Sequence, residues 1–193
     1  MGATDPRNGL LVAVVGPSGA GKDTLLAAVR QTFAGTPGLH IMRRVITRPA
    51  DAGGEDHQPA TVEEFKALRD AGAFATWWEA HGLFYGIPME AQRRVEAGEL
   101  VLANGSRSAL PHFKPAFPRL KVLNITARPE VLAERLAARG RETREEILHR
   151  LSRGGLEIDG DFDVETIDNS GTREEAEKRI LEVVKGLIDS CKK

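Results

Sequence analysis

Leu10 to Asp23 read LLVAVVGPSGAGKD. Six apolar residues run directly into a glycine-rich turn, and an apolar-periodic segment, DTLLAAVRQTF (Asp23 to Phe33), follows. A buried strand, a glycine turn and a helix in that order aim several backbone N–H groups at one anion. Gly16 to Lys22 meets the phosphate-loop pattern G-x-x-x-x-G-K-[ST], with Lys22 as the cation that reaches the terminal phosphates. The last place departs from it. Asp23 stands where a magnesium-binding hydroxyl is expected, and Thr24 follows.

Two readings of Asp23 are open. A carboxylate beside a triphosphate is repelled unless a metal lies between them, and magnesium favours oxygen ligands. Phosphate-loop enzymes often take a carboxylate from the end of a later strand. Here the matching run, LVLANGSR (Leu100 to Arg107), has no acid. Asp23 then carries the missing metal-directed carboxylate, directly or through water. On the other reading Asp23 favours the helix N-terminus electrostatically and Thr24 supplies the hydroxyl.

Further along the chain, four more runs read as strands: His40–Thr47, Glu99–Asn104, Leu120–Thr126 and Asp163–Asn169. Helical segments lie between them. Three open with capping boxes, on Thr61/Glu64, Thr143/Glu146 and Thr172/Glu175. Strands alternating with helices predict an α/β fold, a five-stranded parallel sheet with helices on both faces. Arg48 to Ala60 is rich in Gly, Pro and Asp and reads as a long functional loop.

The chain has 193 residues, 41% hydrophobic and 28% charged, with a net charge of -1. Such a balance argues against a broad nucleic-acid or membrane-binding surface. Cys191 is the single cysteine, so no disulfide framework and no Cys/His zinc site can form. Met1 to Asn8 is polar, and no apolar run approaches the ~18 residues of a membrane span. A reducing, cytoplasmic setting is expected.

The motif order resembles that of the guanylate kinases, from about Leu10 to Gly186. It is carried by GPSGAGKDTLL, TRP (Thr47 to Pro49), EEF (Glu63 to Phe65), FATWWEAHGLFYG (Phe74 to Gly86) and ERLAARGRETREEI (Glu134 to Ile147). The resemblance implies a phosphate-loop nucleoside-triphosphatase fold in one kinase domain. Its core would be 9–35, 91–127 and 157–193, its acceptor-binding insert 36–90 and its lid 128–156. ATP would lie on Gly16, Pro17, Ser18, Gly19, Ala20, Gly21, Lys22, Asp23 and Thr24, with Asn169 near the base, and Mg2+ on Asp23 and Thr24. Arg135, Arg139 and Arg150 match lid arginines that act with Lys22 on the transferring group, and Arg141 is a further candidate. Alternatively, the arginines between Arg128 and Arg153 belong to a solvated helix pair with i,i+4 partners.

Departures from that family are as informative. Thr76 stands where guanylate kinases place a guanine-reading glutamate, Ile87 where they place Ser or Thr, ANGSR where they place aspartates, and Asp51 where they place a second arginine. A buried site that loses such a hydrogen-bonding group rejects the matching ligand by ~10⁴ or more. Arg43, Arg44, Arg48, His57, His81 and Arg107 instead suit phosphates and hydroxyls.

In these departures, including the Asp of the phosphate loop, the chain resembles the ribose 1,5-bisphosphate phosphokinases of phosphonate degradation. That resemblance implies transfer of the ATP γ-phosphoryl to a small sugar phosphate. The acceptor would lie on Arg44, Arg48, His57, Tyr85, Asn104, Ser106 and Arg107. Packing alone is an equal reading of Tyr85. Of the adjacent Trp77 and Trp78, one is expected inside and the other at the acceptor cleft. The rivals are a nucleoside monophosphate kinase, a GTP-hydrolysing switch and a non-catalytic guanylate-kinase-like binding module. The switch lacks an N-K-x-D motif, and the intact GPSGAGK argues against the module.

Overall fold

Leu11 to Val15 are fully buried, and successive residues belong to different cores. Val12 and Val14 pack with Leu25, Val29, Ile180 and Val184. Leu11, Ala13 and Val15 pack with Ala91, Leu110, Phe113 and Phe117. A strand buried on both faces needs an apolar residue at every position, which is why LLVAVV shows no alternation.

The computed structural model describes residues 9–50, 55–138 and 158–191. In chain order it begins β1 (Leu10–Val15), α1 (Lys22–Thr32), β2 (Leu39–Met42), β3 (Val45–Ile46) and β4 (Gln58–Pro59). Then come α2 (Val62–Asp70), β5 (Phe74–Ala80), β6 (Leu83–Pro88), α3 (Met89–Glu96) and β7 (Leu100–Asn104). A 3₁₀ turn (Arg107–Ala109) leads to α4 (Leu110–Ala116), β8 (Leu120–Thr126), α5 (Pro129–Ala137), β9 (Asp163–Asp168) and α6 (Arg173–Cys191).

β1 is the middle of a five-stranded parallel sheet of order β2-β7-β1-β8-β9. Leu10 lies opposite Leu100, and Leu11 opposite Leu120. Helices α1 and α6 cover one face, α3 and α4 the other. The five expected strands all enter this sheet. The capping boxes of α2 and α6 form, with Glu64 N donating to Thr61 Oγ1 at 3.1 Å and Glu175 N to Thr172 Oγ1 at 3.3 Å. That of Thr143/Glu146 lies outside the described residues.

The expected strand His40–Thr47 is two strands in two sheets. β2 pairs with β7, the chain leaves the sheet at Arg43 and Arg44, and β3 pairs with β6. β2 is thus the edge of the main sheet, although it falls within the span 36–90 expected for the insert. A second, mixed sheet of order β4-β3-β6-β5 lies within the span expected for the acceptor-binding insert. Sequence reading has no strands at β4, β5 or β6. His81 and Gly82 are the two-residue turn between β5 and β6, with φ of 54° and 72°, as hairpin twist favours. Phe65 of α2 stacks on Phe74 at 4.6 Å, and Trp78 reaches the main core beside Phe113. No helix among the described residues is long and apolar enough to cross a membrane.

Candidate active site

The carboxyl ends of β1, β7, β8 and β9 converge on the glycine turn, the place where open α/β sheets hold ligands. Gly16 has a φ of 146°, and a Cβ there would lie 2.1 Å from the Ile125 carbonyl oxygen. Gly21 has a φ of 92°, and its Cβ would lie 2.5 Å from Asn169 Nδ2. Only glycine lets the turn pass so close to β8 and β9. Pro17, Gly19 and Ala20 are buried, and Ser18 and Thr24 are exposed. Lys22 folds back over the turn, donating to the carbonyls of Gly16 at 2.9 Å and Pro17 at 3.1 Å. Burial lowers its ammonium to about 8, and the charges of Asp23, Arg44, Glu55 and Arg107 all act on it.

Asn169 caps the end of β9. It is buried, and its Nδ2 donates to Ala20 O at 2.7 Å. It thus braces the phosphate loop. Its Oδ1 has no partner among the described residues. Helix α5 packs on the same loop, because a side chain at Gly19 would meet Leu136 and Leu132. Arg135 precedes Leu136 on that helix, its buried Nη1 without a hydrogen-bond partner among the described residues. Asp51, Arg139, Arg141 and Arg150 lie outside the described residues.

Asp23 opens to the cleft, yet its carboxyl is pushed above its ordinary value, first by desolvation and then by the nearby Glu55. Asn104, at the end of β7, donates from Nδ2 to Asp23 Oδ1 at 2.8 Å and also to Glu55 Oε2. Arg44 holds Glu55 in a bidentate pair, Nε to Oε1 at 2.7 Å and Nη2 to Oε2 at 2.6 Å. Both side chains of that pair are nearly buried, and the Arg44 guanidinium lies 5.0 Å from the Tyr85 ring centroid. Tyr85 in turn stacks on Trp78 at 5.4 Å. Arg44 is therefore already neutralised and stacked, rather than open to an acceptor phosphate.

His57 is buried, with Nδ1 3.0 Å from Glu55 O and Nε2 3.0 Å from Arg48 O. Its ring is taken up by the loop's own backbone, so it shapes the loop instead of presenting a nitrogen to an acceptor. Arg48 Nη2 lies 3.3 Å from that ring, and its buried Nε has no partner among the described residues. Arg43 donates to His57 O at 2.9 Å and pairs with Asp56, which also meets Arg30 of α1. Ser106 Oγ is 3.1 Å from Ser108 Oγ, beside Arg107. Burial pushes the Arg107 guanidinium down, although it stays cationic.

Trp78 is the inward tryptophan, and Trp77 lies by Phe84 and Arg69 instead. His81 is exposed on the hairpin turn. His40 meets Arg94 and Glu99 at the start of β7, away from the site. Thr76 is buried and donates to His112 O at 3.0 Å, and Ile87 is fully buried. The two positions expected to lack guanine readers are thus closed on the protein itself. Glu55 stands at the end of β7 although it was given no site role from the sequence, where it shows only as the glutamate two before His57 in the stretch Ile46 to His57 that carries the family likeness.

No protein-family model matches the chain. Among curated proteins, the ribose 1,5-bisphosphate phosphokinase PhnN of Agrobacterium fabrum is 59% identical over 174 residues, 90% of this chain and 95% of that one. The protein of the same name from Rhizobium etli is 56% identical, covering 94% and 92%. That of Ruegeria sp. is 48% identical, covering 87% of each. Among solved structures, guanylate kinase from Anaplasma phagocytophilum matches with a TM-score of 0.64 at 21% identity, covering 95% of this chain and 88% of that one. A sugar kinase from Janibacter sp. matches with a TM-score of 0.52 at 19% identity, covering 94% and 95%. At these identities the structural matches establish the fold alone.

Proposed function

The chain belongs to the ribose 1,5-bisphosphate phosphokinase family, and from that premise we infer that it phosphorylates ribose 1,5-bisphosphate with ATP, giving 5-phosphoribosyl 1-diphosphate and ADP. Thr76 is the observation that carries the choice of acceptor. It is buried, with its hydroxyl turned to donate to the His112 carbonyl, so the N–H donors of a guanine would meet no carboxylate there.

The nucleophile is an oxygen of the acceptor's 1-phosphate, ionised at neutral pH, so no general base is needed. It forms a bond to the γ-phosphorus as the bond to the bridging oxygen of ADP breaks. What the protein supplies is alignment of two polyanions and neutralisation of their charge. Backbone N–H groups of Gly16 to Thr24 cradle the ATP phosphates. Lys22 swings from the carbonyls of Gly16 and Pro17 to the terminal phosphates, which restore its charge preference. Arg135, whose buried Nη1 has no partner among the described residues, meets the transferring group, and Arg139 and Arg150 are assigned the same role from the family likeness. Arg48 and Tyr85, within the insert span 36–90, and Ser106 and Arg107, just after β7, are assigned to the acceptor, with 128–156 as the lid. Arg44 and His57 act by position rather than by contact, and Asn104 serves the metal rather than the acceptor.

Magnesium fits this donor set. Asp23 offers a carboxylate beside the loop, and Asn104 has a buried Oδ1 without a partner among the described residues. No cluster of three His, Cys, Asp or Glu exists among the described residues, as suits an ion whose other ligands are phosphate oxygens and water. When bound, it would neutralise charge on the β- and γ-phosphates. With ATP as donor and a sugar phosphate as acceptor, we place the enzyme in the cytoplasm.

Steady-state ADP formation tests the reading, with ribose 1,5-bisphosphate and GMP compared at equal concentration. The sugar bisphosphate should be favoured in kcat/KM by ~10³ or more. Equal turnover of GMP would overturn the assignment.

A further inference from the structure

We propose that Glu55 is the second carboxylate of the magnesium site, so that binding of the metal–nucleotide pins the acceptor loop to the phosphate loop. The proposal rests on the kinase reading above but not on the identity of the acceptor.

The end of β7, where phosphate-loop enzymes commonly supply an acid, carries Asn104. An acid reaches that spot from elsewhere in the chain. Glu55 belongs to the acceptor side, and its carboxylate is directed onto Asn104 by the two bonds from Arg44. Its side chain is 11% exposed, too buried to be an ordinary surface partner of Arg44. Asp23 reaches the same amide from α1. Asp23, Glu55 and Asn104 line one cavity of about 200 Å³, whose remaining wall includes Leu26 and Ile41. Two carboxylates are thus gathered at one buried amide, 49 and 81 residues apart from it in sequence.

Asn104 explains how one arrangement serves two states. Its Nδ2 faces the carboxylates, while its Oδ1 is buried with no partner among the described residues. A half-turn of the amide exchanges the two atoms. Without a cation the nitrogen must face the carboxylates, because the oxygen would be repelled. With a divalent cation the oxygen faces it, and three oxygen-bearing side chains surround the ion. One or two carboxylates plus substrate phosphates is the set magnesium commonly takes.

The coupling follows from what else holds Glu55. Its neighbour Asp56 is clasped by Arg43 and Arg30, and His57 is bonded to Arg48 O. Fixing Glu55 therefore fixes Arg44 and Arg48 as well. By reciprocity, an acceptor that settles those arginines tightens the metal.

Mn2+ is the probe, titrated with the full chain and a non-hydrolysable ATP analogue while free Mn2+ is followed by electron paramagnetic resonance. Glu55→Gln should weaken Mn2+ binding about tenfold or more, with analogue affinity in EDTA unchanged. Unchanged Mn2+ affinity would overturn the proposal. Should Glu55→Gln fail to fold, Asn104→Asp gives an independent reading. It places a third carboxylate in the cluster, so the metal-free melting temperature should fall, and Mn2+ should raise it by more than it raises that of the natural protein. A lowered melting temperature with no larger Mn2+ shift would mean that the cluster is a hydrogen-bonded lock only. Neither assay contains an acceptor, so a wrong acceptor assignment leaves both results standing.

Discussion

Lys22 rests on the carbonyls of Gly16 and Pro17 in a site that burial has made costly for its charge, and its ammonium titrates near 8. Phosphate oxygens favour the cation. Below pH 8 the charge is already present, so this residue adds no pH dependence. Above pH 8 the free protein loses the charge, and ATP binding must take up a proton. ATP affinity measured in EDTA should therefore weaken as pH rises from 8 towards the ordinary lysine range. A flat profile would contradict the folded-back lysine. Asn169 makes a second prediction. Asn169→Ala removes the donor to Ala20 O and leaves that carbonyl unpaired at a cost of about 1–3 kcal/mol. The KM for ATP should rise while that for the acceptor stays within twofold; a change in acceptor KM alone would contradict a brace on the phosphate loop. The loop itself was legible because strand, glycines and lysine are consecutive. The roles of Asn169, His57 and Arg44 were not, because each is set by a partner that no spacing rule names: Ala20 O, Arg48 O and Glu55.

At the scale of elements, the main sheet could be read because β1, β7 and β8 are buried on both faces and show it as unbroken apolar runs. The second sheet could not. β3 and β4 are two residues each, and β5 carries adjacent tryptophans and a register shift between Phe74 and Thr76 that breaks the period of two. The split of His40–Thr47 was hidden because Ile41, Met42, Val45 and Ile46 suit a single strand equally well. Thr76 ties this second sheet to α4 through His112 O. Thr76→Val keeps the shape and removes the donor, so it should cost about 1 kcal/mol and lower the melting temperature by about 2–4 °C. Acceptor KM should be unchanged. A gain of GMP turnover on this substitution would show that Thr76 guards the acceptor pocket, rather than only joining two elements.

The whole molecule brings three distant segments together: the phosphate loop at 16–24, residues 43–48 and 55–57, and the end of β7 at 104–107. Residues 23, 55 and 104 meet only through the sheet order β2-β7-β1, in which β7 lies between the strand that enters the phosphate loop and the strand that leads to the acceptor side. That convergence sets Glu55 against Asn104 at the end of β7, a contact that the order of residues in the loop does not reveal. The same layout brings Arg107 within electrostatic reach of Lys22, while Thr76 and Ile87 are closed on the protein itself. The direct measurement is phosphorus NMR of a reaction mixture of the protein, Mg2+, ATP and ribose 1,5-bisphosphate, with a parallel mixture containing GMP. The expected result is a new pair of coupled diphosphate resonances on the sugar's C1 alongside those of ADP, with the 5-phosphate signal unsplit and the GMP mixture unchanged. GDP resonances in the second mixture, with none from a sugar diphosphate in the first, would contradict a sugar-phosphate acceptor.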